Sequence, residues 1–64
     1  MREKLRKARL SRGLRQEDVA KKIGVSTRMY QHLETGSRNG KIEYWDALED
    51  LFDIPQRTLR SIKV

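Results

Sequence analysis

Apolar residues recur along this chain at intervals of three and four rather than two, the period of an amphipathic helix and not of a strand. Leu5, Ala8 and Arg12 fall on one stripe, with Arg9 beside it. They predict a first helix over residues 2–12, closed by Gly13. Val19, Ala20 and Ile23 predict a second over 16–23, closed by Gly24. Tyr30, Leu33 and Glu34 share a face of a third, which starts after Ser26 and ends at residue 35, before Gly36. Ile42, Trp45, Leu48, Leu51 and Phe52 predict a fourth over 41–52 that turns these side chains inward. Leu59 and Ile62 mark a short fifth over 55–62, with Pro55 at its first position, where a missing N–H is tolerated. Ser26 is a good N-cap. Glu17 and Asp18 lie in the first turn of the second helix, where the dipole favours carboxylates. Nothing reads as a strand, a repeat or a low-complexity segment, so the predicted fold class is all-α.

The second and third helices are the informative pair. A short glycine-containing turn joins two helices of eight to ten residues, the sequence form of a helix-turn-helix. Helices that cross steeply need a small contact residue, and Ala20 is small. The turn needs a positive φ, which Gly24 supplies. Val19, Ile23, Val25, Tyr30 and Leu33 then point into one core. An ordinary three-helix fold can use the same packing.

Composition narrows the function. The chain has 64 residues, 36% of them hydrophobic, and a formal net charge of +6. So thin a core suits one small domain over residues 1–64. The absence of Cys removes disulfides, thiolate metal sites and cysteine nucleophiles. His32 is the lone histidine, so histidine metal clusters are excluded, and no cofactor is expected. No apolar run nears the ~18 residues of a membrane span. No apolar stretch follows the basic start, as it does in a secretory signal. A reduced-compartment, cytoplasmic binding domain is expected.

The charge is unevenly placed. Residues 1–15 hold seven bases (Arg2, Lys4, Arg6, Lys7, Arg9, Arg12, Arg15) against Glu3 alone. The acids Glu43, Asp46, Glu49, Asp50 and Asp53 crowd into residues 43–53 without a base. A concentrated positive segment attracts phosphate backbones or anionic lipid. A solvated helix that keeps a small protein soluble carries the same pattern.

With these residues in view, the stretch LRKARLSRGLRQEDVAKKIGVSTRMYQHLETG resembles the phage repressor and Cro-type helix-turn-helix family, the xenobiotic-response-element type. The most specific pieces are Gly13-Leu14-x-Gln16, Val19-Ala20, Gly24-Val25-Ser26 and Glu34-x-Gly36, and the likeness spans roughly residues 5–59. It implies a five-helix, lambda-repressor-like domain that binds double-stranded operator DNA, usually as a two-fold dimer. It further implies that Thr27, Arg28 and His32 read base edges in the major groove, with Met29 beside them against a thymine methyl. Gln16 would bond a phosphate, and Ser26 would cap its helix and touch the backbone. Thr35, Ser37, Arg38, Asn39 and Lys41 would meet phosphates along the following loop, with Arg15 and Gln31 on the same side. Arg9 and Glu34 match a salt bridge between the first and third helices.

Four positions depart from the family pattern. Arg15 stands where Thr or Ser is usual, and an arginine cannot accept the backbone bond of a cap, a loss of about 1 kcal/mol. Tyr30 and Gln31 are bulkier than the common residues. Gly40 replaces the proline often found before the fourth helix, which predicts a looser loop.

The leading function is therefore a sequence-specific regulator of transcription, expected to be a repressor. The C-terminal Leu59, Ile62 and Val64 can complete the core or form a small two-fold contact, and a dimer contact on DNA is expected. The alternative is a protein-binding adaptor or antitoxin that meets a basic partner through the acidic face of the fourth helix. That face reads equally as solvated surface. An enzyme finds no support: the acids form no pocket pattern, and the segment from Gly36 to Gly40 is too short and follows a helix, unlike a phosphate-cradling loop. The apolar face of the first helix is too narrow for lipid binding.

Overall fold

The computed structural model describes residues 1–61, which form five helices and no strand. These are α1 (Glu3–Ser11), α2 (Gln16–Ile23), α3 (Thr27–Thr35), α4 (Ile42–Phe52) and α5 (Gln56–Arg60). Every predicted helix is present, with ends one or two residues inside the expected limits at α1, α4 and α5. The all-α class holds.

The end residues explain the trimming. Arg2 and Arg12 flank α1 as its caps instead of joining it. Pro55 precedes α5 in an extended conformation (ψ 135°), so it introduces the helix rather than occupying its first position. The predicted end of α5 at Ile62 lies outside the described residues. Gly24 ends α2 at φ 77°, and Val25 N–H closes back on the Ala20 carbonyl at 3.0 Å. This left-handed residue makes the turn between α2 and α3 tight.

The core is Leu5, Ala8, Val19, Ala20, Tyr30, Leu33, Trp45, Leu48, Phe52 and Leu59, with Ile23, Val25, Met29 and Leu51 packed on its edge. It draws on all five helices. α2 packs on α3, α1 on α5 and α3, and α4 on α5 and α2.

Two expectations need correction. Ile42 lies on the apolar stripe but is 56% exposed. It is the first residue of α4. Gly40 sits so close to Leu33 and Tyr44 that a Cβ would come within 2.6 Å and 3.1 Å of their side chains, and Trp45 Nε1 donates to the Asn39 carbonyl at 2.6 Å. Leu59 is fully buried. It completes the small core and offers no surface for a dimer. Ile62 and Val64 lie outside the described residues.

Candidate nucleic-acid interface

α3 is built with two unlike faces. Tyr30, Leu33 and Glu34 are buried, while Thr27, Arg28 and Gln31 are exposed, and Met29 and His32 lie half-buried between them. Ser26 starts the helix: its Oγ accepts the Met29 N–H at 3.1 Å. This bond satisfies one of the helix's orphan donors and leaves the first turn, with Thr27 and Arg28, facing solvent.

A polar network braces the two helices from behind. Arg9 Nε and Nη2 donate to the two Glu34 carboxylate oxygens at 2.9 and 3.1 Å. Its Nη1 donates to the Leu14 carbonyl at 3.0 Å, which fixes the chain entering α2. Gln16 Nε2 donates to Glu34 Oε1 at 3.2 Å, and Gln31 Nε2 donates to Gln16 Oε1 at 3.2 Å. Gln16 is thereby oriented from both ends, with one amide hydrogen left over for a ligand. The sequence alone gives no sign of the Gln16–Gln31 bond, because helical spacing does not fix which side chains meet across a turn.

Burial pushes the Glu34 carboxyl up, but the bonds from Arg9, with smaller help from Tyr30 and Gln16, outweigh it and hold the group below the ordinary glutamate range. The hydrogen bonds to Glu34 raise Arg9 in turn. The Tyr30 hydroxyl is buried beside the pair without a hydrogen bond of good geometry. Burial, then the neighbouring Glu34, drives its pKa upward.

The loop over residues 36–41 is fastened, not loose. The reason is Arg2, which is 2% exposed. Its Nη1 donates to the Leu33 carbonyl at 2.6 Å and the Arg38 carbonyl at 3.0 Å, and its Nη2 to Asn39 Oδ1 at 3.0 Å. Its Nε reaches the Arg60 carbonyl at 3.0 Å, and the guanidinium lies 4.9 Å from the Trp45 ring centroid. None of these partners is a carboxylate. Burial and then Arg60 lower its pKa. In the composition Arg2 is one basic charge among seven in residues 1–15. A signal was present: Arg2 lies three residues before Leu5 and so continues the inward stripe.

The structure also redistributes the basic segment. Arg2 and Arg9 are internal. Arg6 approaches Glu3 at 3.6 Å, and Arg12 donates to the Phe52 carbonyl at 3.2 Å. Arg15 folds onto its own helix. Its Nε and Nη2 each donate to Asp18 at 3.3 Å, and Asp18 accepts the Arg15 backbone N–H at 2.8 Å. Asp18 thus caps the helix start that Arg15 cannot, and these bonds lower the Asp18 pKa. Lys4 and Lys7 remain as exposed bases of α1. The positive segment is therefore divided: Arg2 and Arg9 serve the interior, and Lys4, Arg6, Lys7, Arg12 and Arg15 stay at the surface.

Of the loop residues, Ser37, Arg38 and Lys41 are exposed, as is Thr35 at the end of α3. Asn39 is exposed, yet its side-chain oxygen is held by Arg2. On α4, Glu43, Asp46, Asp50 and Asp53 are exposed, whereas Glu49 accepts the Gln56 N–H at 3.1 Å and so caps α5.

A packed pair of helices joined by a glycine turn, one supported from behind and presenting polar side chains outward, defines a helix-turn-helix module. Residues 5–59 match the family described as Helix-turn-helix, and the chain belongs to that family, in its XRE-type, Cro/CI-like form. It is a family of DNA-binding regulators. No curated protein and no solved structure matches the chain. No helix among the described residues is long and apolar enough to cross a membrane.

Proposed function

We propose that this protein is a sequence-specific regulator, a repressor, that inserts α3 into the major groove of double-stranded DNA. The observation that carries this reading is the exposure of Thr27 and Arg28 in the first turn of α3, opposite a face sealed by Tyr30, Leu33 and Glu34. Arg28 is the principal base reader, since an arginine fork matches guanine O6 and N7. Thr27 and His32 contact neighbouring bases, and Met29 reaches a thymine methyl from the edge of the face. Gln16, Ser26, Gln31, Arg38, Asn39 and Lys41 contact phosphates and set the register, and Thr35 and Ser37, whose hydroxyls bond to His32 and to each other, shape that edge of the interface. Arg15 joins them by releasing Asp18. The protein acts in the cytoplasm, as two copies on a two-fold site, with a contact that does not use Leu59.

Selection from a pool of randomised duplexes at physiological salt tests this. One enriched motif is expected, with affinity falling steeply as salt rises, because bound phosphates release counterions. A pool that enriches nothing overturns the proposal. Sedimentation on a duplex carrying the motif tests the pairing: two copies per duplex are expected, and one overturns it.

A further inference from the structure

We propose that Ser37 holds His32 as a hydrogen-bond donor at Nε2, and that His32 therefore reads an acceptor edge of the major groove, guanine O6 or N7, and rejects cytosine. This rests on the DNA-reading role of α3 given above.

The geometry begins at Gly36. Its left-handed φ of 87° ends α3 and turns the chain back, so that Ser37 Oγ lies 2.7 Å from His32 Nδ1. Thr35 Oγ1 lies 3.1 Å from Ser37 Oγ and 3.3 Å from the His32 carbonyl oxygen. Each hydroxyl has one proton to give. The His32 carbonyl accepts the N–H groups of Gly36 at 3.0 Å and Arg38 at 3.3 Å as well as the Thr35 hydroxyl. The Thr35 hydroxyl donates to the His32 carbonyl, and the Ser37 proton goes to the nearer of its two acceptors, His32 Nδ1 at 2.7 Å rather than Thr35 Oγ1 at 3.1 Å. The 2.7 Å separation agrees, because it is the usual length for a hydroxyl donor and short for a neutral N–H donor.

With Nδ1 accepting, the neutral imidazole carries its hydrogen on Nε2. That nitrogen makes no hydrogen bond within the described residues and is not sealed from solvent. Protonation of the ring adds a hydrogen at Nδ1 and reverses the Ser37 contact, while Nε2–H stays in place. The free nitrogen donates in both charge states. Guanine offers two acceptors in the major groove and cytosine only an amine donor, with adenine and thymine offering one acceptor each. Ser37 is a positioning residue: it acts on the base through His32.

Two measurements test the proposal on the full chain. In a long-range proton–nitrogen correlation spectrum of the protein without DNA at pH 8, the His32 proton is expected on Nε2, and Ser37→Ala is expected to mix the two tautomers. A proton on Nδ1 in the unsubstituted protein overturns the proposal. In selection from randomised duplexes, one position is expected to favour guanine over cytosine. His32→Ala and Ser37→Ala should each reduce that preference by about fivefold, the size of one net hydrogen bond. A preference for cytosine there, or a loss shared equally by all sequences as for a phosphate contact, overturns this proposal alone. A pool with no motif overturns the DNA-reading role instead, and the spectrum still decides the tautomer.

Discussion

The Arg2 guanidinium donates to the Leu33 carbonyl oxygen at 2.6 Å, a bond that spans 31 positions of sequence. Through it the start of the chain grips the end of α3. The same guanidinium holds Arg38, Asn39 and Arg60, so three separate segments meet on one side chain. A buried cation without a carboxylate partner persists only when its donors are matched, and here carbonyl dipoles match them.

Arg2→Met should therefore destabilise the fold by about 3 kcal/mol, because it leaves several inward-facing oxygens without donors. Arg2→Lys should recover only part of that loss, since an ammonium cannot span the positions a planar fork reaches. Urea unfolding of the three proteins measures both. An Arg2→Met protein as stable as the parent would show that the clamp contributes nothing.

Arg9 and Glu34 form a shielded pair, with side chains 11% and 2% exposed. Removing one partner strands the other, so Arg9→Ala or Glu34→Ala should each lose about 3–5 kcal/mol. The double substitution Arg9→Met with Glu34→Leu should be milder than either, because no unpaired charge remains. A denaturation cycle in which the losses simply add would reject the coupling.

Acid should unfold the protein through the same carboxylate. The Glu34 pKa lies below its ordinary value of 4.5 in the folded chain. A depressed carboxylate contributes stability in full above its unfolded pKa and loses it as the pH falls through the folded one. Stability should thus stay level near neutrality and fall below about pH 4.5. In Glu34→Gln that part of the acid slope should disappear. Thermal melts of both proteins between pH 2 and 7 check this.

For DNA, Arg28→Ala should weaken binding to the selected site by about 1–3 kcal/mol and relax one base position. Titration against the site and against variants of that position distinguishes this from a phosphate contact, which weakens all sequences alike.

Gly13 and Gly40 separate backbone strain from packing. Both have positive φ, 66° and 72°, but nothing lies within 4 Å of a Cβ at Gly13, whereas one at Gly40 strikes Leu33. Gly13→Ala should lose about 1 kcal/mol from backbone conformation alone. Gly40→Ala should lose about 2–3 kcal/mol because the core must also shift. Equal losses in chemical denaturation would remove the packing account.

The sequence by itself determined the helices, their order, the turn at Gly24 and the outward set on α3. Each of these depends on neighbours within one or two turns, where period and capping act directly. Tertiary structure decided the rest. Ile42 satisfies the apolar stripe of α4 but meets solvent, because at the first residue of a helix the stripe does not report whether another element packs there. Leu59 belongs to the core because a chain this small has few apolar residues to close it. The basic start looked like one charged surface, yet Arg2 and Arg9 turn inward to oxygens supplied by residues 14, 33, 34, 38, 39 and 60. Composition counts a charge without its address. The position of a carbonyl or carboxylate that can receive a buried guanidinium exists only once distant segments have packed.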